Sequence, residues 1–289
     1  MTTISAEVIC DSVSDTDSRH RITTMRLVYP RFVHSEFLTH RVFSRNASSS
    51  RAIPVRRMIS NIRRDPAMPV HWGSNKPGMQ AGEEVTGARL FAMKALWLGG
   101  MWIMTTLALV AARLGVHKQV VNRMVEPWSH IMVVVTSTEW ANFFKLRRHA
   151  DADPTMQALA EAMWLALLKS RPQTLSRGQY HLPFITSDEV VALYAQPPIQ
   201  ANQTLVMMSA ARCARTSYWN FDGKPTSRAD DERLCEKLLT SPIHASPFEH
   251  QAQLIGDGEF HGPLRGWKSY RMELPDENTF GYPPESYWD

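Results

Sequence analysis

The chain has 289 residues, of which 44% are hydrophobic and 21% are charged. These proportions are ordinary for a globular protein with a sizeable core, and they exclude an intrinsically disordered chain. The net charge of +4 fits an anionic small substrate as easily as a nucleic acid. Three cysteines without C-x-x-C spacing indicate a reducing compartment and argue against a metal site. The first residues have neither the charged nor the apolar region of a signal peptide, so we expect no secretory leader.

Residues 4–10 and 22–29 are rich in β-favouring side chains and flank a polar segment, which predicts a β-hairpin. Its second strand leads into a short predicted helix. On that helix Glu36, His40 and Ser44 lie four residues apart and would share one face.

The stretch 39–51 follows, with three arginines, four serines, one histidine and one asparagine in thirteen positions. Its serines compete for backbone hydrogen bonds and are expected to end the helix. A helix that runs into such a loop presents guanidinium groups, hydroxyls and free backbone N–H groups together, a combination suited to a phosphate ester. On composition alone, a solvated basic loop or a nucleic-acid-binding arm is an equally good interpretation.

A long helix is predicted over residues 83–114, and its stretch 95–112 carries no charge. That apolar run is long enough to be considered as a membrane span. It lies between charged helical turns and has no counterpart elsewhere in the sequence, so we predict a buried core helix and no membrane. Its apolar stripe of Trp97, Met101, Trp102 and Met104 fits core packing or a contact between subunits.

The remaining pattern is mainly helical. The β-branched run 131–135 fits a buried strand or the entry to a helix, and Asp153-Pro154 begins a helix that continues to residue 168. Helices are also predicted at 55–62, 116–124, 138–148, 203–215 and 231–239, with a turn-rich connector at 172–198. Strands are few and helices many, so the predicted fold class is α+β.

The spacing of the Arg/Ser stretch resembles the signature of flavin-dependent thymidylate synthases, R-H-R-x-x-S-x-N-x-x-S-x-R. It reads here as His40-Arg41-x-x-Ser44-x-Asn46-x-x-Ser49-x-Arg51, with Thr39 in place of the first arginine. Further segments similar to those of the family are Arg123-x-x-x-Pro127, Asn142-Phe-Phe-Lys-Leu-Arg147, Ala211-Arg-Cys-Ala-Arg-Thr-Ser217 and His244-Ala-Ser-Pro-Phe-Glu-His250. The last two precede the signature in typical members and follow it here, so the chain resembles a long, permuted, bacteriophage-like variant.

The resemblance implies one domain over residues 1–289, with motif blocks 25–170 and 203–271 joined by a connector, 171–202. Its fold would be an α+β arrangement in which an antiparallel sheet is flanked by long helices. Its activity would be transfer of a one-carbon unit from methylenetetrahydrofolate to C5 of deoxyuridylate, giving thymidylate, with FAD as cofactor and NADPH as reductant. The family works as a homotetramer with shared active sites. The implied location is the cytoplasm, including that of a phage-infected bacterium.

The resemblance also implies roles for individual residues. Arg147 and Ser49 would be catalytic, and a fixed cation at position 147 would polarise a base carbonyl as charge develops on the ring. The nucleotide would be bound by Glu36, Ser49, Ser50, Arg51, Arg123 and Arg147. FAD would be bound by His40, Arg41, Asn142, Ser217, His244, Ser246 and Glu249. Thr39, Thr138 and Asp151 stand where the family usually has arginine, arginine and histidine, which lowers the expected positive charge around FAD.

Two alternatives stay open. Glu36 could accept a hydrogen bond from a cytosine amino group, so a deoxycytidylate substrate or a hydroxymethylated product is the alternative on the same scaffold. A basic nucleic-acid-binding module is the alternative of another class, although the Arg/Ser stretch has no aromatic stacking platform beside it. The histidines lack metal-ligand spacing, so no metal is assigned.

Overall fold

The computed structural model describes residues 2–194, 198–215, 226–240, 243–275 and 277. A five-stranded sheet forms its centre, with the strand order β3-β4-β2-β1-β5. The strands are β1 (Ser5–Ser14), β2 (Arg21–Pro30), β3 (Ser44–Ala47), β4 (His130–Ser137) and β5 (Gln173–Leu175). Neighbouring strands are antiparallel except for β5, which runs parallel to β1.

Helices surround this sheet, and smaller sheets lie towards the C-terminus. The helices are α1 (His34–Phe37), α2 (Val55–Arg64), α3 (Gly87–Arg113), α4 (Lys118–Val121), α5 (Ala141–Arg147), α6 (Pro154–Lys169), α7 (Ser187–Leu193), α8 (Pro198–Ala214) and α9 (Arg228–Leu239). One small sheet joins β6 (Tyr180–His181), β7 (Ala252–Leu254) and β10 (Trp267–Ser269), and another joins β8 (Phe260–His261) and β9 (Leu264–Arg265). The α+β class predicted from the sequence is confirmed.

The predicted hairpin is confirmed as β1 and β2, and alternation along β2 gives the central sheet two different faces. Met25, Leu27 and Tyr29 point to one face, where they are fully buried together with side chains of α6 such as Met156 and Leu159. Each such side chain contributes roughly 1.5–3 kcal/mol by its burial. The other face meets the β6-β7-β10 sheet, so the central sheet is covered on both sides.

The prediction that Glu36, His40 and Ser44 share one helical face is wrong. Helix α1 ends at Phe37, and Ser44 is the first residue of β3. The physical reason is Arg45, whose Nη1 donates to the carbonyl oxygens of Leu38 and His40 at 2.9 and 3.0 Å. These carbonyls are turned to one cation instead of continuing a helical ladder, and the chain bends into the strand.

The prediction of a buried core helix over residues 95–112 is also wrong for the single chain. Met101, Thr105 and Ala108 are buried on one side of α3, whereas Leu96 and Ile103 are 68% and 63% exposed. Within the described residues, α3 alone is long and apolar enough to cross a membrane, and 17% of its apolar window is buried. An apolar run therefore indicated a helix correctly, but it did not indicate what covers that helix.

Other boundaries differ more modestly from the predictions. The run 131–135 is a strand, β4, which pairs with β2 on one side and β3 on the other. The long helix starts at Gly87 and not at residue 83, because Glu84 forms a β-bridge with Gly73. The connector 172–198 contains β5, β6 and α7. Its capping box at Thr186 and Glu189 starts the short helix α7.

Candidate functional site

Arg147, at the end of α5, reaches across to the turn that follows α1. Its Nε donates to Nε2 of His40 at 3.1 Å, and its Nη2 donates to Oγ1 of Thr39 at 3.1 Å. Its Nη1 lies 3.4 Å from Oε2 of Glu36. Two of the motif segments quoted from the sequence therefore meet through one guanidinium group.

The electrostatics of this cluster favour the neutral His40 that the contact requires. Burial, assisted by the nearby charges of Arg147 and Arg45, lowers the pKa of His40. A neutral His40 can accept the Nε–H of Arg147, whereas an imidazolium cannot. Burial also raises the pKa of Glu36, and Asp153 adds to the increase while Arg147 opposes it. The cluster thus combines a fixed cation with a partly desolvated carboxyl group.

The Ser/Arg loop after β3 is held by its backbone and not by its charged side chains. Asn122 donates from Nδ2 to the carbonyl oxygens of Ser50 and Ile53 at 2.7 and 2.8 Å. Lys118 donates to the carbonyl oxygen of Ala52 at 3.1 Å. The loop therefore has a defined shape, although the side chain of Arg51 is exposed.

Arg123 lies next to this loop. It follows Asn122, the residue that anchors the loop, and its side chain is exposed. The 3-10 turn Asn122–Trp128 packs against the turn Ser50–Ala52. Ser49, Ser50, Arg51 and Arg123 are therefore brought into one neighbourhood, as a site for a phosphate group requires.

The C-terminal motif segments also reach the signature. Asn46 on β3 donates from Nδ2 to the carbonyl oxygen of Cys213 in α8 at 2.7 Å. The 3-10 turn Ser246–Glu249 packs against β3. Segments that are more than 160 positions apart in sequence thus converge on one edge strand.

The residues predicted to bind the nucleotide form two groups in one chain. Glu36 and Arg147 lie at the start of β3, where Arg147 contacts the turn that leads into the strand. The Ser/Arg loop, with Arg123 beside it, lies at the end of β3. A strand of four residues spans about 13 Å. The two groups of a single chain therefore flank a strand of about that length.

The residues predicted to bind FAD are mostly at the surface. Arg41, Asn142, His244 and Ser246 are exposed, and Ser217 lies outside the described residues. Glu249 is half-buried and forms an ion pair with Arg271. The groove between α2 and α3 and the cavities beside β1 and α6 are lined by other residues. A single chain thus offers these groups as an open polar surface.

Sequence reasoning missed a row of buried polar side chains across the central sheet. Cys10, Thr24, Thr136 and Ser44 are successive cross-strand partners on β1, β2, β4 and β3. Thr24 and Thr136 are joined by a hydrogen bond of 2.6 Å between their hydroxyls. No spacing in the sequence marks this row, because its members come from four different strands.

Two buried histidines cover that row. His181 is 2.8 Å from the hydroxyls of both Ser12 and Thr24, and Nδ1 of His250 is 2.8 Å from Oγ1 of Thr136. Burial lowers the pKa of each histidine to about 3, so both are neutral at neutral pH. His250 stood in a quoted motif without an assigned role.

The fit of a flavin can be judged from the groups that lack partners. Within the described residues, Oγ of Ser44 and Nε2 of His250 are buried without a hydrogen-bond partner. Both lie beside Thr136, since Ser44 is its cross-strand neighbour and His250 is its hydrogen-bond partner. These two buried groups mark unused hydrogen-bonding capacity inside the sheet, and the exposed Arg41 offers a positive charge that suits an anionic cofactor. In the part of the chain that the structure describes, no group of three or more His, Cys, Asp or Glu side chains could hold a metal ion.

Comparison with known proteins gives structural likenesses only. A scan against protein-family models gives no match, and a search of curated proteins gives none either. Among solved structures, the chain is similar to a UMP/dUMP methylase, PolB, from Streptomyces cacaoi bound with 5-Br dUMP. The identity is 16%, the TM-score is 0.48, and the match covers 58% of this chain and 91% of that one. It is also similar to thymidylate synthase X from Helicobacter pylori with FAD and dUMP, at 16% identity and a TM-score of 0.35. That match covers 51% of this chain and 68% of the other.

Proposed function

We propose that this chain is a flavin-dependent methylase of a pyrimidine deoxynucleotide monophosphate. Its substrate is deoxyuridylate, its one-carbon donor is methylenetetrahydrofolate, and its reductant is NADPH. The observation that carries the proposal is the guanidinium of Arg147, which is held by His40 and Thr39 of the signature beside the carboxyl group of Glu36. Such a preorganised cation is what a reaction with developing charge on a pyrimidine carbonyl needs.

Each proposed nucleotide residue has a distinct task. Arg147 contacts the base and stabilises the charge that develops on it. Ser49, Ser50, Arg51 and Arg123 bind the phosphate, because hydroxyls and guanidinium groups donate to phosphate oxygens. Ser49 also orients the nucleotide for reaction. The backbone anchors from Asn122 keep the phosphate loop in shape before the substrate arrives.

FAD is assigned to the polar residues of the quoted motif segments. His40, Arg41, Asn142, His244, Ser246 and Glu249 would hold it, and Ser217 is proposed with them from the motif. When bound, FAD supplies the electron transfer that forming a methyl group requires. The residues of the chain bind and orient the reactants and limit access of water.

We further propose that the protein acts as a homotetramer with shared active sites. In this proposal Glu36 and Arg147 are the base-side group and the Ser/Arg loop with Arg123 is the phosphate-side group. Groups from two subunits complete one nucleotide site. The exposed apolar side of α3 offers a surface for such association.

A direct test is to incubate the purified protein with methylenetetrahydrofolate, NADPH and deoxyuridylate, and to weigh the nucleotide product. We expect an increase by one methyl group, together with a flavin absorption band that bleaches when NADPH is added. A colourless protein that produces no thymidylate with added FAD would contradict the proposal.

A second substrate is favoured by one observation, the carboxyl group of Glu36 beside Arg147. A carboxylate there could accept a hydrogen bond from the exocyclic amino group of cytosine. The same assay with deoxycytidylate separates the two candidates. Product mass also separates a methyl from a hydroxymethyl group.

A further inference from the structure

The positive charge of this chain is concentrated in one segment. Residues 51–128 contain eleven lysines and arginines and four acidic residues, which is a net charge of +7. The whole chain carries +4, so the remainder is acidic overall. A region with this excess attracts anions more strongly than the net charge of the protein suggests.

Part of this charge lines a groove between α2 and α3. The groove encloses about 860 Å³ and is lined by Arg56, Arg63, Arg64 and Arg113. Arg63 and Arg64 follow Arg56 by seven and eight residues, two helical turns, so they lie on the same side of α2 as Arg56. No carboxylate is among the residues that line it in the described part of the chain. Within the groove, therefore, no carboxylate of a described lining residue neutralises the charge of the four arginines.

Arg63 is fixed in place by neutral groups. Its Nε donates to Oγ1 of Thr105 at 3.1 Å, and its Nη2 donates to Oγ1 of Thr106 at 3.3 Å. Its guanidinium carbon lies 4.5 Å from the centre of the Trp102 ring. These contacts hold the side chain without cancelling its charge, and a guanidinium fixed in this way loses little entropy when it binds an anion.

Arg56 and Arg113 stand opposite each other on the two helices. Both side chains are exposed, and neither has an ion-pair or hydrogen-bond partner within the described residues. Each therefore has all its guanidinium donors available for a ligand.

The floor of the groove is apolar. Ile59 comes from α2, and Leu109 and Ala112 come from α3. A ligand that uses the whole groove must combine several negative charges with an apolar face. The enclosed volume is that of a small-molecule site.

We propose that this groove binds a small organic polyphosphate, with its phosphates on the arginines and its ring on the apolar floor. A nucleoside triphosphate and NADPH both have this chemistry. The groove shares no residue with the proposed nucleotide and flavin residues, so it is a separate site. For a nucleoside triphosphate the inference goes beyond the proposed function, and for NADPH it rests on that function because it locates the proposed reductant.

The test is calorimetric titration of the full-length protein with dTTP, NADPH, inorganic tripolyphosphate and a single-stranded oligonucleotide. Arg56→Gln and Arg113→Gln should each weaken binding of dTTP or NADPH roughly 10- to 100-fold, as expected for loss of a charged hydrogen bond. Arg228→Gln is the matched control, because it removes an exposed helical arginine from α9 and should leave binding unchanged. Arg51→Ala removes a residue of the proposed phosphate loop and should leave binding of NADPH unchanged.

Several results would overturn the inference. One is that the Arg56 and Arg113 variants bind dTTP and NADPH as tightly as the unmodified protein. Another is that tripolyphosphate binds as tightly as either organic ligand, which would deny a role to the apolar floor. A third is that the groove variants lose binding only of a single-stranded oligonucleotide. Loss of dTTP binding alone, or of NADPH binding alone, would support the inference and identify the ligand.

Discussion

The guanidinium of Arg147 is held by acceptors from a single turn of the chain. Two of them, the imidazole nitrogen of His40 and the hydroxyl of Thr39, carry no charge when they accept, and the carboxyl group of Glu36 is 3.4 Å away. They therefore position the cation without neutralising it fully. Arg147→Ala should lower kcat by about 100- to 1000-fold, the usual effect of removing one preorganised donor from a transition state. The measurement is the initial rate of thymidylate formation at saturating deoxyuridylate.

The control for that substitution is Lys145→Ala on the same helix. Lys145 is exposed and carries the same charge, so its loss tests whether any cation on α5 is sufficient. We expect a near-normal rate for Lys145→Ala and unchanged melting temperatures for both variants. A normal rate for Arg147→Ala would remove the central argument of the proposed mechanism.

Thr136 is the middle of the buried polar row, and its hydroxyl contacts both Thr24 and His250. Thr136→Val keeps the shape of the side chain but leaves Nδ1 of His250 without a hydrogen-bond partner, whereas Thr24 keeps its contact with His181. An unsatisfied buried group costs roughly 1–3 kcal/mol, so the free energy of unfolding should fall by about that amount. Thr174→Val, at an exposed position of β5, should change it little. Denaturant titration measures both variants.

The two buried histidines make stability depend on pH. Their pKa is lowered from 6.5 to about 3 by burial, so the unfolded chain binds a proton at each below about pH 6.5 while the folded chain does not. The free energy of unfolding should therefore fall with decreasing pH, by up to about 2.7 kcal/mol per pH unit for the pair. Between about pH 6.5 and 5 histidines dominate this slope, because most carboxyl groups titrate below that window. The lowered pKa values of His34 and His40 add to it in the same direction.

Urea unfolding at a series of pH values measures that slope. His149→Gln should leave it unchanged, because the ring of His149 is exposed. A stability that is constant between about pH 6.5 and 5 would show that the two rings are not buried as neutral groups.

At the scale of elements, local sequence signals predicted helices and strands correctly where the signal lies within the element or directly beside it. Asp153 caps α6 by accepting from the backbone N–H groups of Thr155 and Met156, as the Asp-Pro start indicated. The hairpin β1–β2 was predicted from its alternation. Helix α1 was predicted too long. It ends where Arg45, a residue of β3, binds the carbonyl oxygens of Leu38 and His40, and the helical pattern does not show that contact.

Helix α3 shows the limit of composition as a guide to burial. Its apolar residues lie on all sides, and one side packs on α2 while the other is exposed. If α3 forms the proposed subunit contact, Ile103→Glu should yield a species of lower mass in light scattering. Leu168→Glu on α6 is a matched control, because Leu168 and Ile103 are both 63% exposed. An unchanged mass for Ile103→Glu would exclude this face as the interface.

At the scale of the whole molecule, the sequence indicated the segments of the candidate site. It did not predict the contacts by which those segments meet. The motif spacing singled out Arg147, His40 and Glu36, and the structure joins them. The bond from Asn46 to Cys213 and that from Thr24 to His181 cross 167 and 157 positions. Such contacts depend on strand order and sheet stacking, which no local pattern encodes. The partners of Glu249 and His250 were therefore beyond prediction from the motif.

The separation of Arg147 from the Ser/Arg loop gives a test of how active sites are assembled. Arg147→Ala and Arg51→Ala should each be inactive alone, because one lacks the base-side cation and the other a phosphate-side cation. If each site takes these arginines from different subunits, mixed oligomers contain some sites with both intact. After unfolding and refolding an equal mixture, turnover should recover to roughly a quarter of the normal value, since half of the subunits supply each arginine. Refolding each variant alone gives the baseline. A mixture no more active than that baseline would place both arginines of a site in one chain.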